Sequence, residues 1–208
     1  MLKLYYIYSV EIYSLEYNKI LFKFALIKKN KMKKIIAFAG SNSKKSINKE
    51  LVTYAANLLD NVDVNILDLN VFELPLYGID LENEEGIPNN AHKFLELIKT
   101  SDGIVLSLAE HNGAYSAAFK NIFDWMSRID NQLWSNKPML LMAASPGARG
   151  GQTVLEIAQG KFPFMGSNIT SVFSLPFFNK NFADGKIIDD ELNKQLIQSV
   201  SEFSKAIK

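Results

Sequence analysis

"IIAFAGSNSKKSINKEL", residues 35–51, joins a short apolar run to a helical pattern through an unusually polar loop. The apolar run stops at Gly40, and apolar periodicity resumes only at Leu51. Three serines, two asparagines and three lysines stand between them. A surface turn needs two or three such residues, so the surplus points to a ligand. A helix beginning near residues 46–48 presents unpaired backbone N–H groups and the positive end of its dipole, which together suit an anion. Ser41, Ser43 and Ser46 add hydroxyls, Asn48 adds an amide, and Lys44 and Lys45 add charge. Ser46 also reads as a plain N-cap, although Lys49 three residues on precludes a capping box. Two familiar phosphate patterns do not fit. The P-loop requires a second glycine before its Lys-Ser/Thr, and the dinucleotide fingerprint requires three spaced glycines, whereas only Gly40 is present.

Outward from this stretch, strand and helix patterns alternate. Residues 35–39 are a near-continuous apolar strand, and residues 49–59 carry helical periodicity. Residues 62–69 alternate apolar and polar, as suits the edge of a sheet. A loop with Pro75, Gly78 and Pro88 leads to a helix over 90–101, a buried strand over 103–109 and a helix over 117–129. A buried strand over 138–144, a helix from about Gln152, a fifth strand over 169–175 and a closing helix over 191–207 complete the chain. Five strands alternating with helices predict one α/β domain, a parallel sheet covered on both faces in three layers. In such sheets ligands bind beyond the carboxyl ends of the strands, where strand order reverses. The loops after strands 1, 3 and 4 are then "GSNSKKSIN", "AEHNGAYS" and "SPGARGG", all rich in glycine and polar groups.

Composition narrows the classes. At 208 residues and 48% apolar content, one domain with a sizeable core is expected. A formal charge of +1 argues against a charge-driven nucleic-acid or membrane-surface binder. The absence of cysteine removes disulfides, thiol nucleophiles and thiolate metal sites, and fits a reducing, cytoplasmic setting. With His92 and His111 the only histidines, no histidine-based metal site is expected. Residues 1–31 are rich in tyrosine and lysine and lack glycine and proline. Lys3, Glu11, Glu16, Lys19 and Lys23 interrupt every apolar run short of the roughly 20 residues of a membrane span. Met32 opens an ordinary domain start, so residues 1–31 are expected to be an extension outside the fold and residues 32–208 the domain.

Two ordered motifs resemble the NADPH-dependent FMN reductase family of the flavodoxin-like fold. Residues 40–51 resemble its phosphate loop, Gly-Ser-x-Arg-x-x-Ser-x-Asn-x-x-Leu. "AEHNGAYSAAFKNIFDWMSR", residues 109–128, resembles its Pro-Glu-Tyr-Asn-Gly segment and the Leu-Lys-Asn-x-x-Asp-Trp-x-Ser-Arg helix that follows. "ELPLYGIDLENEEGIP", residues 73–88, resembles a loop of the quinone and chromate reductase branch. The resemblance implies a five-stranded, doubly wound flavodoxin-like sheet, bound FMN, and NADPH or NADH as reductant. It implies Ser41, Ser43, Ser46, Ile47 and Asn48 around the FMN phosphate, and Ala109, Glu110, His111, Asn112 and Gly113 along the isoalloxazine ring. Ser145 and Gly147 are implied to meet the ring from the loop after strand 4. Three positions depart from the pattern: Ser43 replaces Arg, Ala109 replaces Pro, and His111 replaces Tyr.

The implied activity is transfer of electrons from a nicotinamide nucleotide through FMN to quinones, flavins or similar small acceptors, in a homodimer or tetramer. A flavodoxin-like electron carrier and a flavin-free binding protein are the alternatives. Visible absorbance and nucleotide consumption distinguish the three. No catalytic acid or base is assigned, because the cofactor carries the chemistry. His111 reads either as a general acid or as a packing substitute for Tyr, and Glu110 as a base candidate. Arg149 is a candidate partner for a nucleotide phosphate, and Asp68 for a ribose or simply for solvent. Ala118, Ile122, Trp125, Met126 and Ile129 form the stripe expected to meet the sheet. Phe119 and Phe123 are candidates for a subunit interface or for core packing, and Trp134 and Tyr77 for contact with a partner subunit's flavin.

Overall fold

Three apolar runs and two alternating ones become five parallel strands, the apolar runs in the middle of the sheet and the alternating ones at its edges. A computed structural model describes residues 32–207, so the expectation for residues 1–31 falls outside the described residues. In chain order the main elements are β1 (Lys33–Gly40), α1 (Ile47–Asn57), β2 (Val62–Leu67), α2 (Ile79–Glu85), α3 (Asn89–Thr100) and β3 (Gly103–Leu108). They continue as α4 (Ala117–Ile129), β4 (Pro138–Ala144), α5 (Gln152–Lys161), β5 (Asn168–Leu175) and α6 (Asp190–Ala206). The sheet order is β2-β1-β3-β4-β5, and every pairing is parallel. Strand order therefore reverses at β1/β3, the place where ligands of doubly wound sheets sit.

Side-chain alternation along each strand feeds two cores. Ile36, Phe38, Leu106 and Leu141 join α3, α4 and α5 on one face. Ile35, Ala37, Val105 and Leu140 join α1 and α6 on the other. Burial on both faces is why these strands read as continuous apolar runs rather than as alternating ones. The edge strand β2 does alternate and is largely exposed.

Several expectations for the fold need correction. Of the two readings for Phe119 and Phe123, the structure bears out core packing and not the interface. Both are buried, and with Tyr115, Trp134 and Phe162 they form an aromatic cluster on the α4 side of the sheet. Trp134 is fully buried in this cluster, so it cannot approach a partner's flavin. The core-facing side of α4 is wider than the expected stripe because the Leu133–Trp134 segment and Phe162 also pack against it. Ala118 and Ile129, by contrast, are only partly buried. Trp125 is fully buried, but beneath the loop after β2: Tyr77 meets its ring edge-on at 5.0 Å, and its Nε1–H donates to the Pro75 carbonyl at 2.8 Å.

The short helix α2 stands where the sequence predicts a loop. It has no buried residue and no side-chain cap, so neither apolar period nor capping signal announces it. Tertiary contacts hold it instead, through Arg128 Nε–H donating to the Glu82 carboxylate at 2.8 Å and the Tyr77 hydroxyl donating to the same group at 3.0 Å.

Candidate flavin site at the carboxyl ends of β1, β3 and β4

The loop after β1 shapes itself with its own serines. The Ser41 hydroxyl accepts from the Ser43 N–H at 3.2 Å, and the Ser43 hydroxyl accepts from the Lys45 N–H at 3.3 Å. Ser46 is the N-cap of α1, and its hydroxyl accepts from the Lys49 N–H at 3.2 Å. A serine oxygen that accepts from the backbone still has its own O–H to donate. Ser41 is half-buried, while Ser43, Lys44 and Lys45 are exposed. No carboxylate lies between residues 41 and 46, so hydroxyls, free N–H groups at the start of α1 and two cations share this corner.

Asn48 points the other way. It is 2% exposed, and its Oδ1 accepts from the Ser107 hydroxyl at 2.7 Å and from the Ala144 N–H at 2.8 Å. Its Nδ2 donates to the Ala144 carbonyl at 3.2 Å. The side-chain amide is thus a clasp between α1 and the ends of β3 and β4. Ser107 was not singled out from the sequence, although a lone polar residue in the apolar run "GIVLSLA" is the signal that would have found it.

The loop after β3 is a small hairpin. Glu110 pairs with Tyr115 and His111 with Ala114, leaving Asn112 and Gly113 as a two-residue turn. Both turn residues have positive φ, +51° and +73°, as a type I′ turn demands, and Asn-Gly is the sequence that adopts it most readily. Ala109 is buried at the base of the hairpin, while His111 and Asn112 are exposed at its tip. Ser116, another residue not singled out, caps α4 and donates its hydroxyl to the Gly40 carbonyl at 2.8 Å, tying this hairpin to the loop after β1. The Tyr115 hydroxyl is buried among the aromatics, and burial pushes its pKa well above the usual phenol value. It is a neutral packing group.

The loop after β4 carries Ser145, Gly147 and Arg149, the last two exposed. The Ser145 hydroxyl donates to the Gly147 carbonyl at 3.2 Å. The N–H of Phe177 donates to the same carbonyl at 3.0 Å, and the Ser174 hydroxyl donates to the Gly150 carbonyl at 3.1 Å. The structure therefore brings Ser41, Ser43, Ser46, Ile47 and Asn48, the 109–113 segment, and Ser145 and Gly147 onto three adjacent loops at one end of the sheet. Asp68 is not part of the set. It caps the turn over Leu69–Val71 and pairs with Lys49 at 2.6 Å, and that bond, helped by the Asn70 N–H, holds its carboxyl below the usual range.

A cavity of about 630 Å3 adjoins the loop after β1 at Asn42 and runs between Asn70, Glu73, Pro75 and Asn121. Asn121, one of its lining residues, accepts from the Tyr77 N–H at 2.8 Å and donates to the Pro75 carbonyl at 3.0 Å.

An open parallel sheet that reverses its strand order at β1/β3, with three polar loops beyond the carboxyl ends of β1, β3 and β4, is a flavodoxin-like domain. Residues 33–180 match the model of the NADPH-dependent FMN reductase family, and the chain belongs to that family. The quinone reductase of Escherichia coli strain K12 is 31% identical over 118 residues, which cover 56% of this chain and 62% of that protein. The match thus spans less than two thirds of that relative's length. An NAD(P)H-dependent FMN reductase of Pseudomonas aeruginosa is 25% identical over 186 residues, covering 84% of this chain and 97% of that protein. Among solved structures, the flavoenzyme NAD(P)H:(acceptor) oxidoreductase of Paracoccus denitrificans matches with a TM-score of 0.68 at 24% identity, covering 85% of this chain and 97% of its own. That likeness establishes the shared fold.

Proposed function

We propose that the protein is an FMN-dependent oxidoreductase that takes electrons from NADPH or NADH and passes them to quinones, flavins or a similar small acceptor. The carrying observation is the corner formed by Ser41, Ser43, Lys44, Lys45 and the start of α1. It offers donors and positive charge without a competing carboxylate, as a phosphate monoester requires. Family membership and the relatives named quinone reductase and FMN reductase support the choice of cofactor and acceptor.

In this proposal Ser41 and Ser43 donate their hydroxyls to the phosphate, alongside the N–H groups of Ser46, Ile47 and Asn48. Ser46 and Asn48 keep α1 in place through their side chains. The 109–113 segment lines the ring with its backbone, and Ser145 and Gly147 face it from the loop after β4. Bound FMN would supply two-electron acceptance from the nucleotide and release to the acceptor, so no side-chain acid or base is needed. The protein's share is to hold the partners in orientation and to limit water. His111, exposed on the hairpin, serves as an aromatic plane in the position of a Tyr.

The working form is a homodimer. Val71, Leu76 and Ile79 are exposed apolar side chains on the segment after β2, which also lines the cavity at Asn42, and they support pairing with a second copy. Among the described residues no helix is long and apolar enough to cross a membrane. The cysteine-free sequence supports a cytoplasmic setting.

Flavin absorbance of the purified protein, followed by NADPH oxidation at several fixed quinone concentrations, tests the proposal. Parallel double-reciprocal lines are expected if nucleotide and acceptor use one face in turn. Intersecting lines contradict that sharing, and a protein that takes up no FMN contradicts the function.

A further inference from the structure

The helix α5 begins at a residue that cannot cap it. Gly151 occupies the N-cap at φ +82° and offers no side chain. A Cβ at this position would approach the Ala143 Cβ to 2.7 Å, so the usual Ser, Thr, Asp or Asn is excluded. The N–H groups of the first turn still need an acceptor. It arrives from 44 residues upstream: the Glu110 carboxylate accepts from the Val154 N–H at 3.0 Å. A negative group is favoured there by the helix dipole as well. The tip of the same hairpin rests on the same turn, since a Cβ at Gly113 would sit 3.7 Å from Thr153 Cγ2.

The loop after β4 leads directly into this first turn. On its β5 side it is fastened by the Phe177 N–H to Gly147, the Ser174 hydroxyl to Gly150 and the Ser145 N–H to the Leu175 carbonyl. Glu110 supplies the fastening on the β3 side. We propose that Glu110 is a positioning residue: its carboxylate clasps the start of α5 so that the loops after β3 and β4 form one wall of the flavin site. The consequence for binding rests on the FMN proposal above, whereas the clasp itself does not. Its role is then mechanical rather than that of a base, and it acts through Val154.

Glu110→Ala removes the acceptor, and Glu110→Gln keeps an oxygen at the same reach. In flavin-free protein, amide exchange at Val154 should accelerate at least about tenfold in E110A, the loss of one hydrogen bond to a charged group, and less in E110Q, whose amide oxygen keeps the bond without the charge. Flavin titrations should show E110A weakening FMN and riboflavin alike by about tenfold, with E110Q restoring most of the affinity. Both variants should melt cooperatively within a few degrees of the native protein. Native Val154 protection and flavin affinity in E110A would overturn the proposal. So would an E110Q as weak as E110A, or a collapsed fold in E110A. Should the native protein bind no flavin, the function proposed above fails while Val154 exchange still reports on the clasp.

Discussion

Two polar segments lie near the carboxyl end of the sheet, and they use their hydrogen-bonding groups in opposite ways. The segment after β2 is closed against α4. Asn121 bonds the backbone of Pro75 and Tyr77, Trp125 bonds Pro75, and Arg128 and Tyr77 share Glu82. The loop after β1 is open. Its serine oxygens accept long bonds from their own backbone, and Ser43, Lys44 and Lys45 face solvent. Equal polarity in the sequence thus has two outcomes. Paired groups build the scaffold, and groups left facing outward are available to a ligand. The family motif on α4, with its Asn, Trp and Arg, belongs to the first kind.

The largest expected effect breaks the closed segment. Trp125→Ala removes a fully buried indole and its bond to Pro75, and should cost about 3–5 kcal/mol in urea unfolding. Riboflavin affinity of the folded protein should barely change. A loss below about 1 kcal/mol would mean that the loop after β2 stands without this clamp.

Asn48→Ala sharpens the boundary between the two kinds. It leaves the Ser107 hydroxyl and the Ala144 N–H buried without their partner, at about 1–3 kcal/mol each. Stability should fall by at least about 2 kcal/mol, and FMN and riboflavin should weaken together. Native stability with a loss confined to FMN would instead make Asn48 a phosphate ligand.

The central strands β1, β3 and β4 were legible because burial on both faces leaves a plain apolar run, and the N-cap of α1 was legible because Ser46 precedes a periodic segment. Strand ends were less so: Lys33 and Lys34 belong to β1 through register with Val62 and Asp63, and apolarity gives no hint of that. Phe119 and Phe123 stayed open between core and interface because a helical wheel shows one flat face, whereas α4 is packed from two directions. The direction of Asn48 and the partner of Glu110 were out of reach. Each depends on an atom 96 or 44 residues away along the chain, and local pattern carries no such distance.

The central claim is that the loop after β1 reads a phosphate. Ser41 and Ser43 test it best, because their hydroxyls make only the long bonds of 3.2 and 3.3 Å within the loop and keep their own O–H to donate. The measurement is a pair of fluorescence titrations, FMN and riboflavin, on the native protein and on the Ser41→Ala, Ser43→Ala double variant. Each hydrogen bond lost to the charged phosphate should cost roughly 1.5–3 kcal/mol, so FMN affinity should fall at least about tenfold. Riboflavin, which lacks the phosphate, should bind both proteins alike. Equal losses for the two flavins, or no loss for FMN, would contradict the claim.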